Sequence, residues 1–248
     1  NNTNIYKIIK STTIENGIKR ALATGDFGVK NPNSNKVGVA QVLNRLTYIS
    51  TLSHLRRVNT PIDKSGKLIP PRKLHGTGWG YICPAETPEG QPVGVAKNLS
   101  YLTHVTIRSS ADPIYDIIKQ KITPLDECEP NDLYNQVKII VNGCWMGITD
   151  EPYKLYEFMK QKKLEGIINI FTSVVFDCAS LELRICNDAG RMTRPLFIVK
   201  NNKLNIDDST MKKILNNDLS WDDMLTNHEI GSAVIEYVDT EEQNYSMI

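Results

Sequence analysis

The chain has 248 residues, of which 40% are hydrophobic and five are cysteines. That length allows one large domain or two to three small ones, with enough apolar content for a core. No apolar run is long enough to span a bilayer and no secretory signal is visible, so we expect a soluble chain with no membrane partner. The cysteines form no C-x-x-C pair, which predicts a reducing compartment, no disulfide framework and no metal site.

The formal net charge of +1 conceals an uneven distribution along the chain. Residues 1–110 carry 15 Lys and Arg against 5 Asp and Glu, whereas residues 111–248 carry 14 against 23. The basic part can neutralise phosphates, while the acidic part would be repelled by them. Charge alone is equally compatible with a nucleic-acid-facing part joined to a protein-facing part and with an unevenly charged solvated surface.

Two helices are predicted in the basic half. Thr12-Thr13-Ile14-Glu15 has the pattern of a capping box, and apolar residues at helical spacing follow it as far as Gly25. From Val37 to Leu55, apolar residues recur at spacings of three and four. This periodicity predicts one long or kinked helix.

The segments after this helix have the composition of loops. Asp63 to Gly66 predicts a tight reversal with Lys64 and Lys67 at its tip. Residues 72–100 contain too many glycines and prolines for a helix or a sheet, which predicts an ordered loop with special backbone angles. We expect the indole ring of Trp79 to anchor this loop by packing.

The basic residues around these loops are candidates for contact with nucleic acid. Arg suits this role because its planar fork can hold two phosphate oxygens at once. Cations at the end of a helix also stabilise its dipole, and most exposed charges are simply solvated, so a structural explanation stays open. The predicted nucleic-acid-binding residues are Gln41, Arg45, His54, Arg56, Arg57, Lys64, Lys67, Arg72 and Lys73.

The acidic half has the patterns of a small mixed α/β structure. Asn142-Gly143 is a strong signal for a two-residue hairpin turn between two β-rich runs. We expect strands at Val137–Val141, Cys144–Ile148, Thr172–Phe176, Leu181–Ile185 and Leu196–Val199, and an amphipathic helix at Tyr153–Leu164.

The run Cys83-Pro-Ala-Glu-Thr-Pro-Glu-Gly-Gln91 resembles the signature of the second-largest subunit of multisubunit DNA-directed RNA polymerases. It is closer to the RNA polymerase II type than to the bacterial form. The runs Gln41–Arg57, VNGCWMGI and ICNDAGRMTRPLFIV resemble further parts of the same family. Gly78 departs from the family, which commonly has a histidine at this position, and this divergence slightly favours a viral over a cellular source.

The resemblance implies an α+β, multi-domain internal fragment of the second-largest subunit. Its helical, loop-rich fork region would cover residues 1–115, and small mixed α/β external domains would follow. The first external domain would cover residues 116–204, and the second, truncated, residues 205–248. By the same resemblance, Val58–Leu68 would lie where the downstream duplex separates.

The resemblance also implies a role in DNA-templated transcription as part of a nucleotidyltransferase, with no catalytic residue in this chain. Expected partners are the DNA template, nascent RNA, the largest polymerase subunit and other polymerase subunits. No cofactor is expected on this chain, while Mg²⁺ in the whole enzyme would be held mainly by the largest subunit. The location would be the nucleus for a cellular protein, and the host cytoplasm, a viral factory or the virion for a viral one. The alternative is a stand-alone nucleic-acid-binding or subunit-docking module.

Glu86 and Glu89 require an explanation, because two carboxylates beside a polyanion are unfavourable without compensating partners. They can bond to cations or backbone N–H groups and so maintain the shape of the loop. In the family this loop approaches the active centre, so a tuning role there is the other interpretation.

Overall fold

The computed structural model describes residues 9–24, 27–28, 41–62, 66 and 68–247. They form two compact units. Unit 1 comprises residues 1–74 and 83–99, and unit 2 comprises residues 75–82 and 100–248. The predicted division into a fork region and two external domains, with boundaries at residues 115 and 204, stays a prediction.

Unit 1 contains two helices and a two-stranded antiparallel sheet among its described residues. The elements are α1 (Ser11–Thr24), α2 (Tyr48–Leu55), β1 (Arg57–Asn59), β2 (Ala96–Asn98) and a 3-10 turn at Pro70–Arg72. Helix α1 confirms the predicted helix, but it begins at Ser11, so Thr12 lies inside the helix and does not cap it. Its apolar residues Ile14, Ile18 and Leu22 are more than half exposed.

The prediction of one long helix from Val37 to Leu55 is wrong for residues 41–47, and residues 37–40 lie outside the described part. Helix α2 begins only after Thr47, whose extended backbone and reciprocal hydrogen bonds with Ser50 form a capping box. Asn44 precedes it in an Asx turn, accepting the Leu46 N–H at 3.0 Å through its side chain. Such side chains offer the backbone local partners that compete with helix formation, although the apolar spacing continues through them.

Unit 2 holds most of the regular structure and confirms the α+β class. Its helices are α3 (Asp112–Lys119), α4 (Asp132–Asn135), α5 (Pro152–Leu164), α6 (Asp208–Leu215), α7 (Asn227–Ile230) and α8 (Thr240–Asn244), with 3-10 turns at Gly76–Gly78, Leu125–Glu127 and Asp222–Met224. Its strands are β3 (His104–Val105), β4 (Thr123–Pro124), β5 (Val137–Val141), β6 (Cys144–Thr149), β7 (Ser173–Asp177), β8 (Glu182–Cys186), β9 (Met192–Phe197), β10 (Val199–Lys200), β11 (Lys203–Leu204) and β12 (Ile235–Asp239).

A five-stranded sheet in the order β4-β6-β5-β8-β7 forms the larger core of unit 2. The predicted hairpin is confirmed: β5 and β6 pair through a turn in which Asn142 and Gly143 both have positive φ, the geometry that favours glycine. Strand β5 also pairs in parallel with β8, which the sequence analysis did not predict. Alternate residues of β5 are buried with Leu155 and Met159 of α5, so the helix and the sheet share one apolar core.

A second, three-stranded sheet joins distant parts of unit 2, in the order β12-β9-β3. Tyr81 is fully buried, and its hydroxyl donates to the Val238 carbonyl oxygen at 3.1 Å. Burial raises the pKa of Tyr81 to about 12, despite the opposing charge of Arg194. Trp79 is 62% exposed, so its predicted anchoring role is wrong. Tyr81 is the packed aromatic residue, because its ring enters the interior while its hydroxyl reaches a backbone acceptor.

A buried ion cluster connects α5 to β12 and α8. Lys163 Nζ lies 2.9 Å from Glu236 Oε1 and 3.5 Å from Glu242 Oε2, and it donates to the Tyr237 carbonyl oxygen at 2.8 Å. Lys160 Nζ contacts the same two carboxylates, at 2.6 Å in the case of Glu236. Two ammonium groups and two carboxylates therefore compensate one another: Lys163 and Glu242 are buried, and Lys160 and Glu236 are partly exposed.

Acidification is expected to weaken unit 2 through Glu236. Desolvation alone would raise the pKa of this carboxyl, but the charges of Lys163 and Lys160 outweigh it and lower the pKa from 4.5 to about 2. The stabilisation is therefore complete above pH 4.5 and is lost as the pH falls towards 2, by on the order of 3 kcal/mol. Denaturant unfolding at several pH values measures this loss. Glu236→Gln should show a shallower slope below pH 4.5, and equal slopes in the two proteins would contradict the assignment.

No helix in the described part of the chain is long and apolar enough to cross a membrane.

Candidate nucleic-acid interface

His54 and Gln41 hold the segment before α2 against that helix. His54 Nδ1 accepts the Asn44 N–H at 3.0 Å, and Nε2 lies 3.1 Å from Gln41 Oε1. Since Nδ1 is an acceptor, the proton is on Nε2, which donates to Gln41. Thr51 adds a hydroxyl bond to the Asn44 carbonyl oxygen at 2.8 Å. The side chains of His54 and Gln41 therefore have a structural role within this chain, since they attach the preceding segment to α2. Their contact with nucleic acid stays a prediction.

Three of the predicted cations have exposed side chains in unit 1: Arg45, Arg57 and Lys73. Within the described ranges, no hydrogen bond or ion pair joins these side chains to another residue. Arg57 begins strand β1 and is paired in register with Asn98 of β2, which fixes its place in the sheet. An exposed guanidinium at a defined sheet position suits the recognition of phosphate.

Arg56 and Arg72 are more enclosed than these three. The Arg56 N–H ends helix α2 by donating to the Leu52 carbonyl oxygen, and its own carbonyl oxygen accepts the Leu99 N–H at 3.1 Å. Arg72 donates to three carbonyl oxygens, those of Gln91 at 2.6 Å, Val93 at 2.8 Å and Gly66 at 2.8 Å. Arg72 thus acts as a clamp for the loop that carries the signature sequence. Its predicted binding role stays untested.

The signature loop, residues 83–95, is braced along its length. The Thr87 hydroxyl donates to the Ala96 carbonyl oxygen at 3.0 Å and accepts the Gly94 N–H at 2.8 Å. The Ser53 hydroxyl of α2 donates to Glu86 Oε1. The sequence analysis missed Ser53 and Thr87, because no local pattern relates them to their partners.

The two glutamates of the signature loop differ in their surroundings. Glu86 is exposed but bonded to Ser53, which agrees with a bracing role for one of its oxygens. Glu89 is also exposed, and within the part of the chain that the structure describes no cation or donor contacts its carboxylate. Whether either carboxylate tunes an active centre stays a prediction.

Lys64 and Lys67 lie outside the described residues. No group of three or more His, Cys, Asp and Glu side chains that could hold a metal ion occurs among the residues with a described position.

Comparison with known proteins identifies the family. The model described as RNA polymerase Rpb2, domain 3, matches residues 41–105, and that described as RNA polymerase Rpb2, domain 4, matches residues 139–200. Over 99% of this chain, DNA-directed RNA polymerase II subunit RPB2 of Encephalitozoon cuniculi is 42% identical, and DNA-directed RNA polymerase II subunit 2 of Arabidopsis thaliana is 43% identical. The chain belongs to the RNA polymerase Rpb2 family.

This membership confirms the resemblance seen in the sequence. A viral member, DNA-directed RNA polymerase subunit 2 of Acanthamoeba polyphaga mimivirus, is 35% identical over 99% of the chain. The chain spans 21% of the length of each of the two RNA polymerase II subunits and 20% of the viral one. The domain 3 match contains the signature loop and all nine predicted nucleic-acid-binding residues.

Proposed function

We propose that this chain forms part of the second-largest subunit of a DNA-directed RNA polymerase and that its basic unit positions template and downstream DNA during transcription. One observation carries the proposal: the residues that match Rpb2 domain 3 include three exposed cations without a partner in the described part of the chain, Arg45, Arg57 and Lys73. Phosphate contacts of this kind supply affinity and register without reading sequence.

The contribution of this chain to nucleotidyl transfer would be electrostatic and positional. In this proposal the chemistry is carried out by the assembled polymerase, with Mg²⁺ held mainly by the largest subunit. The strand pairing at Arg57 and the hydrogen bonds that brace the signature loop support a positioning role, because a group that positions DNA or a neighbouring loop must itself be held in place.

Protein partners are proposed as well, namely the largest subunit and other polymerase subunits. Four side chains around α2, those of Val42, Leu46, Tyr48 and Ile49, are 75–84% exposed. Contiguous exposed apolar residues mark surfaces that contact other protein. Transcription would take place in the nucleus for a cellular member, and in the host cytoplasm or a viral factory, or in the virion, for a viral one.

Removing the exposed cations is expected to weaken the electrostatic part of DNA binding. In the polymerase that contains this chain, Arg57→Ala and Lys73→Ala should each reduce the slope of log affinity against log salt by about 1, because each phosphate contact releases about one counterion. Dissociation of elongation complexes at increasing salt measures this slope. Lys119→Ala, which removes an exposed cation from unit 2, is the control and should leave the slope unchanged.

An unchanged slope in both variants would contradict the DNA-contacting role. The alternative, a stand-alone nucleic-acid-binding module, makes a different prediction. In that case the isolated chain would bind DNA tightly, with an affinity that falls steeply with salt. A polymerase part is expected to bind DNA poorly when isolated, because the rest of the DNA channel is supplied by other parts of the enzyme.

A further inference from the structure

Ser53 forms a hydrogen bond with only one of the two carboxylate oxygens of Glu86. Ser53 is partly buried on the last turn of α2, and its hydroxyl donates to Glu86 Oε1. For the other oxygen, Oε2, no donor is recorded within the described ranges of the chain, and the side chain is exposed. One carboxylate oxygen therefore accepts a hydrogen bond from this chain, and the other remains a charged acceptor on an exposed side chain.

Asn98 holds the backbone of the same glutamate. Its side chain is buried, with 3% exposed, and Nδ2 donates to the Glu86 carbonyl oxygen at 3.2 Å. Asn98 Oδ1 lies 3.4 Å from the Ser53 hydroxyl oxygen, and the Asn98 carbonyl oxygen accepts the Cys83 N–H at 2.8 Å. Helix α2, strand β2 and the signature loop therefore meet at Glu86. A buried amide whose N–H group holds the Glu86 backbone is costly to displace, because both groups would lose their hydrogen bond.

We infer that Ser53 and Asn98 are positioning residues for Glu86, which present its Oε2 atom in one orientation to a hydrogen-bond donor from outside this chain. The inference rests on the proposed function and deepens it: the donor belongs to the active centre of the polymerase, and its capture by Glu86 strengthens nucleotide binding. Without these two contacts the Glu86 side chain would sample several rotamers. Binding of the donor would then cost conformational entropy, because the side chain would have to be ordered.

Single-nucleotide addition by the polymerase tests this inference. Ser53→Ala should raise the nucleotide KM about 10-fold, the size of a hydrogen bond to a charged group, with a smaller change in kcat. Ser53→Thr retains a hydroxyl and should restore the KM. Glu86→Gln removes the charge of the carboxylate. The KM of the double variant with Ser53→Ala should be no higher than that of the more impaired single variant, because both substitutions disrupt the same interaction.

A serine of unit 2 provides the matched control. Ser220→Ala removes a hydroxyl that donates to Asp223 Oδ2 at 2.7 Å, and it should leave the KM unchanged. The source of the donor is found by repeating the measurement with 2′-deoxy and 3′-deoxy nucleotides. A Ser53→Ala effect that disappears with one of them identifies a sugar hydroxyl, whereas an effect that persists with both places the donor outside the sugar, on the base or on a protein group.

An unchanged KM in Ser53→Ala, an absence of rescue by Ser53→Thr, or additive effects in the double variant would each overturn the inference. The salt-slope measurement on Arg57 and Lys73 separates this result from the proposed DNA contact. If the salt slope falls as expected in the Arg57 and Lys73 variants but the KM of Ser53→Ala is unchanged, only the positioning role of Ser53 is contradicted. A KM effect without a slope change removes the DNA contact and leaves the positioning role in place.

Discussion

Replacing Lys163 with methionine is expected to lower the free energy of unfolding by about 3–5 kcal/mol, the cost of removing one partner from a buried ion pair. Lys163 is 1% exposed, and its ammonium group lies between the carboxylates of Glu236 and Glu242. Without it, the single charge of Lys160 would face two buried carboxylates. Denaturant unfolding of the purified chain measures the loss.

The neighbouring lysine provides the control for this measurement. Lys162, in the last turn of α5, pairs at 2.7 Å with Glu165, the residue that follows the helix. Both side chains are about a quarter exposed, so Lys162→Met should cost less than about 1 kcal/mol. Adding Glu242→Gln to Lys163→Met should recover part of the loss, because the remaining pair of Lys160 and Glu236 is neutral. Equal costs for the Lys162 and Lys163 variants would show that the cluster does not stabilise the fold.

Replacing Gly94 with alanine is expected to destabilise the signature loop by about 3–5 kcal/mol, from left-handed backbone strain and overpacking together. Gly94 has a φ of +69°, and a Cβ atom there would lie 2.2 Å from the Arg72 carbonyl oxygen. That atom is backbone, in the residue whose guanidinium clamps the loop, so it cannot move aside without loss of the clamp. Unfolding free energies and the rate of proteolysis within residues 83–95 measure the effect.

A substitution at Gly90, in the same loop, is the control that distinguishes steric overlap from backbone strain. Its φ is +82°, but nothing lies within 4 Å of the position that a Cβ atom would occupy. Gly90→Ala should therefore cost only about 1 kcal/mol, the price of a left-handed residue. A Gly94→Ala variant as stable as Gly90→Ala would mean that the close approach to Arg72 is not maintained in solution.

The elements predicted well are those whose signals are local. The hairpin at Asn142-Gly143 follows from two adjacent residues that tolerate positive φ, and in the first of its strands, β5, buried and partly buried residues alternate. Helix Pro152–Leu164 follows from Leu155 and Met159, two apolar residues four positions apart that are both buried. Such patterns require no knowledge of distant residues.

The predictions that failed depended on competition between local signals or on distant partners. The apolar spacing before α2 suggested a helix, but the side chains of Asn44 and Thr47 have hydrogen bonds that favour an extended entry. Trp79 and Tyr81 are both aromatic residues in a glycine-rich loop. Tyr81 is the buried one, and its hydroxyl bonds to the carbonyl oxygen of Val238, a partner 157 residues away that no local pattern indicates.

The sequence by itself determined the Rpb2 family, the α+β class, the charge asymmetry and the loop that carries the signature, because these depend on composition and on short contiguous motifs. Only the tertiary structure separated the cations that clamp the protein, such as Arg72, from those left exposed, such as Arg57 and Lys73. It alone also showed that Ser53 and Asn98 hold Glu86. The physical reason is that the partner of a polar side chain is set by which distant backbone and side-chain atoms folding brings within about 3 Å, and no local pattern records that distance.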